Sequence, residues 1–273
     1  WTQSNGSGVV ALALALASDG TALAGAYQEG VFRLPAGENQ WQPASAGIAA
    51  HVPPGVLFAQ DQTIYLLDVE GALIAYQTAE QSQHALNHRL AEERVLAATI
   101  ATAAQREFLY AATATTLYRA TLPLVDSQDW QSASLPTASA APTLLVALPT
   151  AGQQALVLLA DSAGTLFASA DGGASWTGLA APWSHSQLVQ LGFSPVDSYS
   201  QSFYALTAQP HADHPYLLQL WQSCDAGATW LALADFYAET PAAALTMPYD
   251  PVEQAVLVGV SNRLIKLYQP TSG

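Results

Sequence analysis

The sequence predicts an all-β fold made of repeated four-stranded antiparallel sheets, and three observations predict it. Two eight-residue stretches obey one rule. Ser169-Ala170-Asp171-Gly172-Gly173-Ala174-Ser175-Trp176 and Ser223-Cys224-Asp225-Ala226-Gly227-Ala228-Thr229-Trp230 both read Ser-x-Asp-x-Gly-x-x-Trp, fifty-four residues apart. Each follows a short apolar run with alternating side chains, the pattern of a half-buried strand. Tryptophans also recur at a steady interval: Trp130 to Trp176 is forty-six residues, and Trp41 to Trp130 is eighty-nine, about two steps. One repeat, in the Gln/His-rich segment near His84 to Leu90, therefore lacks its Trp.

A period of about 40–50 residues with four strands per unit is the signature of a propeller blade. In the first repeat the strands are expected at Val9–Ala17, Thr21–Tyr27 and Gly30–Leu34, with Trp41 opening the fourth. Ser18-Asp19-Gly20 supplies the first turn. The second repeat takes Val56–Ala59, Thr63–Leu67 and Ala72–Tyr76. The third takes Val95–Ile100, Phe108–Thr113 and Thr116–Ala120, then Trp130. The fourth takes Thr143–Leu148, Ala155–Ala160 and Thr165–Ser169, then Trp176. The fifth takes Leu188–Phe193, Phe203–Ala208 and Tyr216–Ser223, then Trp230. The sixth has Ala243–Met247, Ala255–Val260 and Arg263–Tyr268 and no fourth strand. Trp1-Thr2, ahead of the first strand, is similar to Trp176-Thr177 and Trp41-Gln42, so the missing strand is expected at the N-terminus. The expectation is a single domain over 1–273: a six-bladed β-propeller whose last blade is closed by the N-terminal strand in a Velcro arrangement, which leaves no open seam.

The repeated octapeptide has a mechanical reading. Its Asp carboxylate accepts hydrogen bonds from backbone amides of a tight turn. Gly173 and Gly227 supply positive φ. The Trp opens the returning strand and packs a large ring between neighbouring sheets. Ser169, Asp171, Gly173 and Trp176, with Ser223, Asp225, Gly227 and Trp230, are thus expected to be structural. On these residues the chain resembles the Asp-box (BNR-repeat, sialidase- and sortilin-like) β-propellers, and the resemblance implies a fold more strongly than an activity. In that family the Asp shapes a hairpin.

Sialidases, the enzymes of the group, carry an Arg-Ile-Pro motif, and Phe32-Arg33-Leu34-Pro35 looks similar. Such an enzyme needs three converging arginines, a Tyr–Glu nucleophile pair and an acidic Asp. Arg33 instead falls in a third strand, in register with Arg119 of Leu117-Tyr118-Arg119, a pattern resembling bacterial repeat proteins. The remaining arginines are Arg89, Arg94, Arg106 and Arg263, and none falls in an innermost strand. Those strands are almost free of Asp and Glu, so paired-carboxylate hydrolysis is not expected. No nucleophile elbow, phosphate loop or His-Glu-x-x-His motif occurs. The chain also resembles the non-catalytic branches, the sortilin-like receptor propellers and the photosynthetic assembly-factor propellers, although the latter are described by a basic patch that this acidic chain lacks.

Composition narrows the partner. The net charge is −14 with seven Lys plus Arg, which disfavours nucleic acid and anionic membranes and permits a basic partner. The hydrophobic fraction of 51% suits a buried all-β core, and no apolar run reaches the roughly 18 residues of a membrane helix. A signal peptide is not expected at Val9–Ala17, since no basic residue precedes it. Cys224 is the single cysteine, so no internal disulfide forms and the compartment stays open. Met247 is the single Met, and the expectation is a chain processed or excised from a longer polypeptide.

Strand order places the Asp-boxes, as turns between third and fourth strands, on one face. The opposite face gathers loops between second and third strands and the connections between repeats. It collects Trp183 and His185, the loop residues His211, Asp213 and His214, and Phe236 and Tyr237. Exposed aromatics with His and a carboxylate suit a protein or glycan contact patch. His211-x-Asp213-His214 matches no strong metal motif, and His84 and His88 have no evident co-ligands, so no metal and no cofactor are expected. Trp183 is equally suited to packing between sheets and to an exposed contact. The expected function is a non-catalytic scaffold that binds a protein or peptide. The alternatives are a carbohydrate-binding propeller using Trp183 and Tyr237, or a divergent sialidase-like hydrolase.

Overall fold

A computed structural model describes residues 11–16, 21–26, 30–43, 54–60, 63–68, 70–77, 80, 82–86, 90, 93–124, 130–136, 140–148, 154–183, 186–193, 202–241, 243–246, 255–260 and 263–268. Every regular element among them is a strand. The chain forms two compact units, one of Trp1–Ala98 with Ala111–Ala114, the other of Thr99–Tyr110 with Thr115–Gly273.

The first unit holds two four-stranded antiparallel sheets. One runs β1 (Ala11–Leu16), β2 (Ala22–Ala26), β3 (Gly30–Leu34) and β4 (Gln42–Pro43). The next runs β5 (Pro54–Gln60), β6 (Thr63–Asp68), β7 (Leu73–Gln77) and β8 (Ser82–Ala85). β8 is the fourth strand of the repeat without a Trp, and its Gln83 pairs with Tyr76. The leading strands β1 and β5 lie against one another. Ile64, Leu66, Leu73 and Tyr76 are fully buried.

The third sheet runs β9 (Ala97–Ala103), β10 (Arg106–Ala112), β11 (Thr116–Thr121) and β12 (Gln131–Ser134). β9 begins two residues later than the sequence predicts. The fourth sheet is β13 (Pro142–Leu148), β14 (Leu156–Asp161), β15 (Leu166–Ser169) and β16 (Thr177–Leu179). The fifth is β17 (Gln187–Phe193), β18 (Phe203–Pro210), β19 (Tyr216–Ser223) and β20 (Leu231–Ala238). A three-stranded sheet of β21 (Ala243–Thr246), β22 (Ala255–Val260) and β23 (Arg263–Tyr268) follows. Residues 1–10, which the closure of the last sheet would require, lie outside the described residues.

Within the second unit the leading strands again sit side by side, β13 against β17 and β17 against β21. The second strands β14 and β18 are buried on both faces, and the side chains of β18 alternate between the neighbouring sheets. Phe203 and Ala205 of β18 pack with Leu156, Leu158 and Leu166 of sheet four. Tyr204, Leu206 and Ala208 pack with Leu245, Val256 and Val258 of sheet six. One polar tie joins the leading strands: Leu245 N donates to Gln190 Oε1 at 2.7 Å, and Gln190 Nε2 donates to Leu245 O at 3.1 Å. The side-chain amide thus bridges two sheets, meeting both main-chain groups of Leu245 from Gln190, which follows the bulge in the β17–β18 ladder.

Trp41, Trp130, Trp176 and Trp230 each stand one residue before a fourth strand, as the spacing predicts.

Candidate binding surface

The two octapeptides fold into the same hydrogen-bonded turn. Ser169 Oγ donates to Asp171 Oδ1 at 2.7 Å and accepts from Gly173 N at 2.7 Å. Ser175 donates its amide to Asp171 Oδ1 at 2.9 Å and its hydroxyl to Oδ2 at 2.6 Å. The second copy matches atom for atom: Ser223 Oγ to Asp225 Oδ1 at 2.8 Å, Gly227 N to Ser223 Oγ at 2.8 Å, and Thr229 N and Oγ1 to the two Asp225 oxygens at 2.8 and 2.6 Å. Trp230 adds a bond from Nε1 to Gly227 O at 3.0 Å. The Ser175 hydroxyl, then its amide, hold the Asp171 carboxyl down at about 2. The Thr229 hydroxyl and amide likewise hold Asp225 below the ordinary carboxylate range. Both acceptors on each carboxylate are therefore engaged in turn-building.

Both glycines take positive φ, +99° at Gly173 and +88° at Gly227. A Cβ at Gly173 would lie 2.1 Å from Leu117 Cδ2, and one at Gly227 would lie 2.8 Å from Leu179 Cδ1. The turns are pressed against the preceding sheet, so glycine serves both backbone and packing.

Arg119 sits beside the first turn. It donates to Gln131, its partner across β11–β12, and to Gln154 ahead of β14, and its Cζ lies 5.2 Å from the Phe108 ring centroid. Arg33 has the same relation to Gln42 across β3–β4. The shared register predicted for these two arginines is present. A cavity of about 100 Å³ is lined by Leu117, Arg119, Gln131, Asp171 and Gly172. Ligand pockets usually enclose about 300 Å³ or more, so this one suits a few waters.

At the other end of the β19–β20 pair, three rings gather. His214 lies 4.3 Å from Tyr237 between centroids, His211 lies 5.2 Å from Tyr237 edge-on, and the imidazoles are 6.2 Å apart. Asp213 N donates to His211 Nδ1 at 3.2 Å, which fixes the loop between β18 and β19. Ser186 Oγ donates to Gln209 Oε1 at 3.2 Å, tying the connection before β17 to the same end of the sheet. The six steps from Gln222↔Leu231 to Tyr216↔Ala238 put the ring cluster about 20 Å from the second turn.

Several expected contact residues are corrected. Trp183 is 4% exposed and packs edge-on to Trp230 at 5.0 Å and tilted against Trp221 at 5.8 Å, inside the core between sheets four and five. It presents no ring to a partner. Phe236 and Tyr237 are not in a connection: β20 runs on to Ala238, and the two residues point to opposite faces. Phe236 packs against the Tyr204–Val256 cluster, while Tyr237 is 49% exposed. His185 and His88 lie outside the described residues, and His84 is exposed on β8. No group of three or more metal-ligating side chains occurs among the described residues. The sequence reading overlooked Leu231, Leu233 and Asp235, whose signal was the eight-residue run Leu-Ala-Leu-Ala-Asp-Phe-Tyr-Ala after Trp230.

No protein-family model and no curated protein matches the chain. Solved structures do. YCF48 from Cyanidioschyzon merolae aligns with a TM-score of 0.60 at 11% identity over 95% of this chain and 82% of its own. A structure of YCF48 bound to D1 peptide aligns at 0.61 and 12% identity, over 98% and 81%. The β-propeller domain of Myceliophteria thermophila Cps50 (Swd1) aligns at 0.63 and 13% identity, over 95% and 82%. Identities this low carry the fold alone. With the consecutive antiparallel sheets and adjoining leading strands above, they show that the chain folds as a β-propeller.

Proposed function

We propose that this propeller is a non-catalytic module that binds a protein or peptide, and that His211, Asp213, His214 and Tyr237 form part of its contact surface. The carrying observation is the three-ring cluster at the end of sheet five, in which His214 and Tyr237 are exposed and His211 is half-buried. Aromatic side chains backed by hydrogen-bonded loops are the usual anchors of protein interfaces. The six leading strands carry no Asp, Glu, His, Lys or Arg, so they offer neither acid–base groups nor a carboxylate clamp. The D1 peptide bound by YCF48 shows a propeller of comparable length receiving a peptide, which is consistent with this reading. Burial of Trp183 removes one of the two rings on which a carbohydrate platform would rest. In this reading the propeller has six blades, with the N-terminal segment completing the three-stranded sheet.

The test is capture of partners from source lysate by the full chain and by a His211→Ala/His214→Ala/Tyr237→Ala variant. A protein retained by the parent and released by the variant supports the surface. Capture by both moves the surface elsewhere. Capture by neither, together with retention on a glycan array, overturns the protein-binding reading.

A further inference from the structure

Leu231, Leu233 and Tyr237 are the large hydrophobic side chains that stand exposed among the described residues, at 66%, 37% and 49%, and all three lie on β20. β20 ends its sheet: it pairs with β19, and no described strand pairs along its other side. Fourth strands elsewhere are short, two residues in β4, four in β8 and β12, and three in β16, whereas β20 has eight. Short edges, prolines and lysines are the usual protections against strand addition, and β20 has none of these. Its one irregularity is a bulge at Leu233, after which Ala234–Ala238 runs in regular register with Leu220–Tyr216. That stretch offers an unbroken ladder edge to an incoming strand.

Charge selects the occupant. From Ala120 to Asn262 the sequence contains no Lys and no Arg but eleven Asp and Glu, and this span includes the whole of sheets four and five. Asp235 is exposed on β20, with Asp213, Asp225 and Glu239 exposed around the ends of the same strand. Asp235 and Tyr237 share a face, since they pair with Gln219 and Leu217. A second copy of this chain would bring one acidic edge against another, and like charges placed opposite across strands are destabilising. A strand with Lys or Arg at alternate positions sets cations over Asp235 and the Tyr237 ring, while its other side chains cover Phe236 and Ala234.

We infer that β20 is a strand-addition site for an extended peptide with alternating basic and apolar side chains, pairing along Ala234–Ala238. This rests on the protein-binding reading above and names the partner chemistry.

The probe is a short blocked peptide of alternating lysine and valine, with a glutamate–valine peptide as control, added to the full chain. Hydrogen exchange is followed at each amide of β20. The expected result is slowed exchange confined to Ala234–Ala238 with the lysine peptide, and affinity lowered roughly fivefold by Asp235→Lys. Protection elsewhere, equal binding of the glutamate peptide, or indifference to Asp235→Lys overturns the inference. So does protection of β20 that rises with protein concentration alone, which would identify a second copy as the occupant. Partner capture that depends on His211, His214 and Tyr237 but not on Asp235 would refute this edge and leave the broader function standing.

Discussion

Replacing Trp183 by Ala separates a packing role from a contact role. A buried indole removes about 200 Å² from water. At about 25 cal/mol per Å² that is close to 5 kcal/mol, an upper bound because the unfolded chain also hides some surface. The edge-on contact with Trp230 and the tilted contact with Trp221 add to this. Large-to-small changes of this kind cost about 3–5 kcal/mol, and the enclosed position between Leu158, Leu188 and Phe203 leaves little room for collapse. The expected loss for Trp183→Ala is therefore about 4 kcal/mol. Trp183→Phe behaves differently. Trp183 Nε1 is buried and finds no acceptor among the described residues, so removing it relieves a penalty of about 1–3 kcal/mol and offsets the smaller ring. The Phe variant should lose under about 2 kcal/mol. Urea denaturation followed by circular dichroism measures both. A loss below about 1 kcal/mol for the Ala variant, or a Phe variant of parental stability that no longer binds the partner, would refute the argument and return Trp183 to the surface.

Two further outcomes follow from the two octapeptide turns. Gly173→Ala should lower stability by about 2 kcal/mol or more, because it strains φ and drives a methyl into Leu117, whereas Ala226→Gly, at a position already at φ +61°, should change stability by under about 1 kcal/mol; thermal unfolding compares them. Asp171 has its carboxyl pKa depressed in the fold, so its contribution is complete above the ordinary value near pH 4 and disappears as pH falls toward about 2. Urea midpoints taken from pH 5 to pH 2 should fall more steeply for the parent than for Asp171→Asn, which starts lower and is flatter across that window.

The fold was legible where the signal is local. The octapeptide dictates its own turn, since every acceptor on Asp171 is filled by residues no more than four positions away. The tryptophan ruler placed β4, β12, β16 and β20, each of which starts one residue after its Trp. What escaped was non-local. Whether Trp183 turns inward depends on Trp221 and Trp230, thirty-eight and forty-seven residues further on, and no pattern around Trp183 announces them. The length of β20 was hidden by its bulge: the extra residue at Leu233 breaks strict alternation, so Phe236 and Tyr237 read as the start of a connection. At the contact surface, the loop residues His211 and His214 were visible, but their convergence on Tyr237 required the register of β19 with β20.

Among the described residues, every sheet is assembled from strands that are consecutive in the chain. Hairpins of that kind form with little loop-closure entropy, so each sheet is complete soon after its last strand leaves the ribosome. The second strands β14 and β18, however, are buried on both faces, and one face of β18 is covered by Leu245, Val256 and Val258, which are made later. When sheet five has emerged and sheet six has not, Tyr204, Leu206, Leu218 and Leu220 stand open to water. A nascent chain that pauses there displays a row of bare apolar side chains, and it is at this stage of synthesis that a chaperone would have the most to hold.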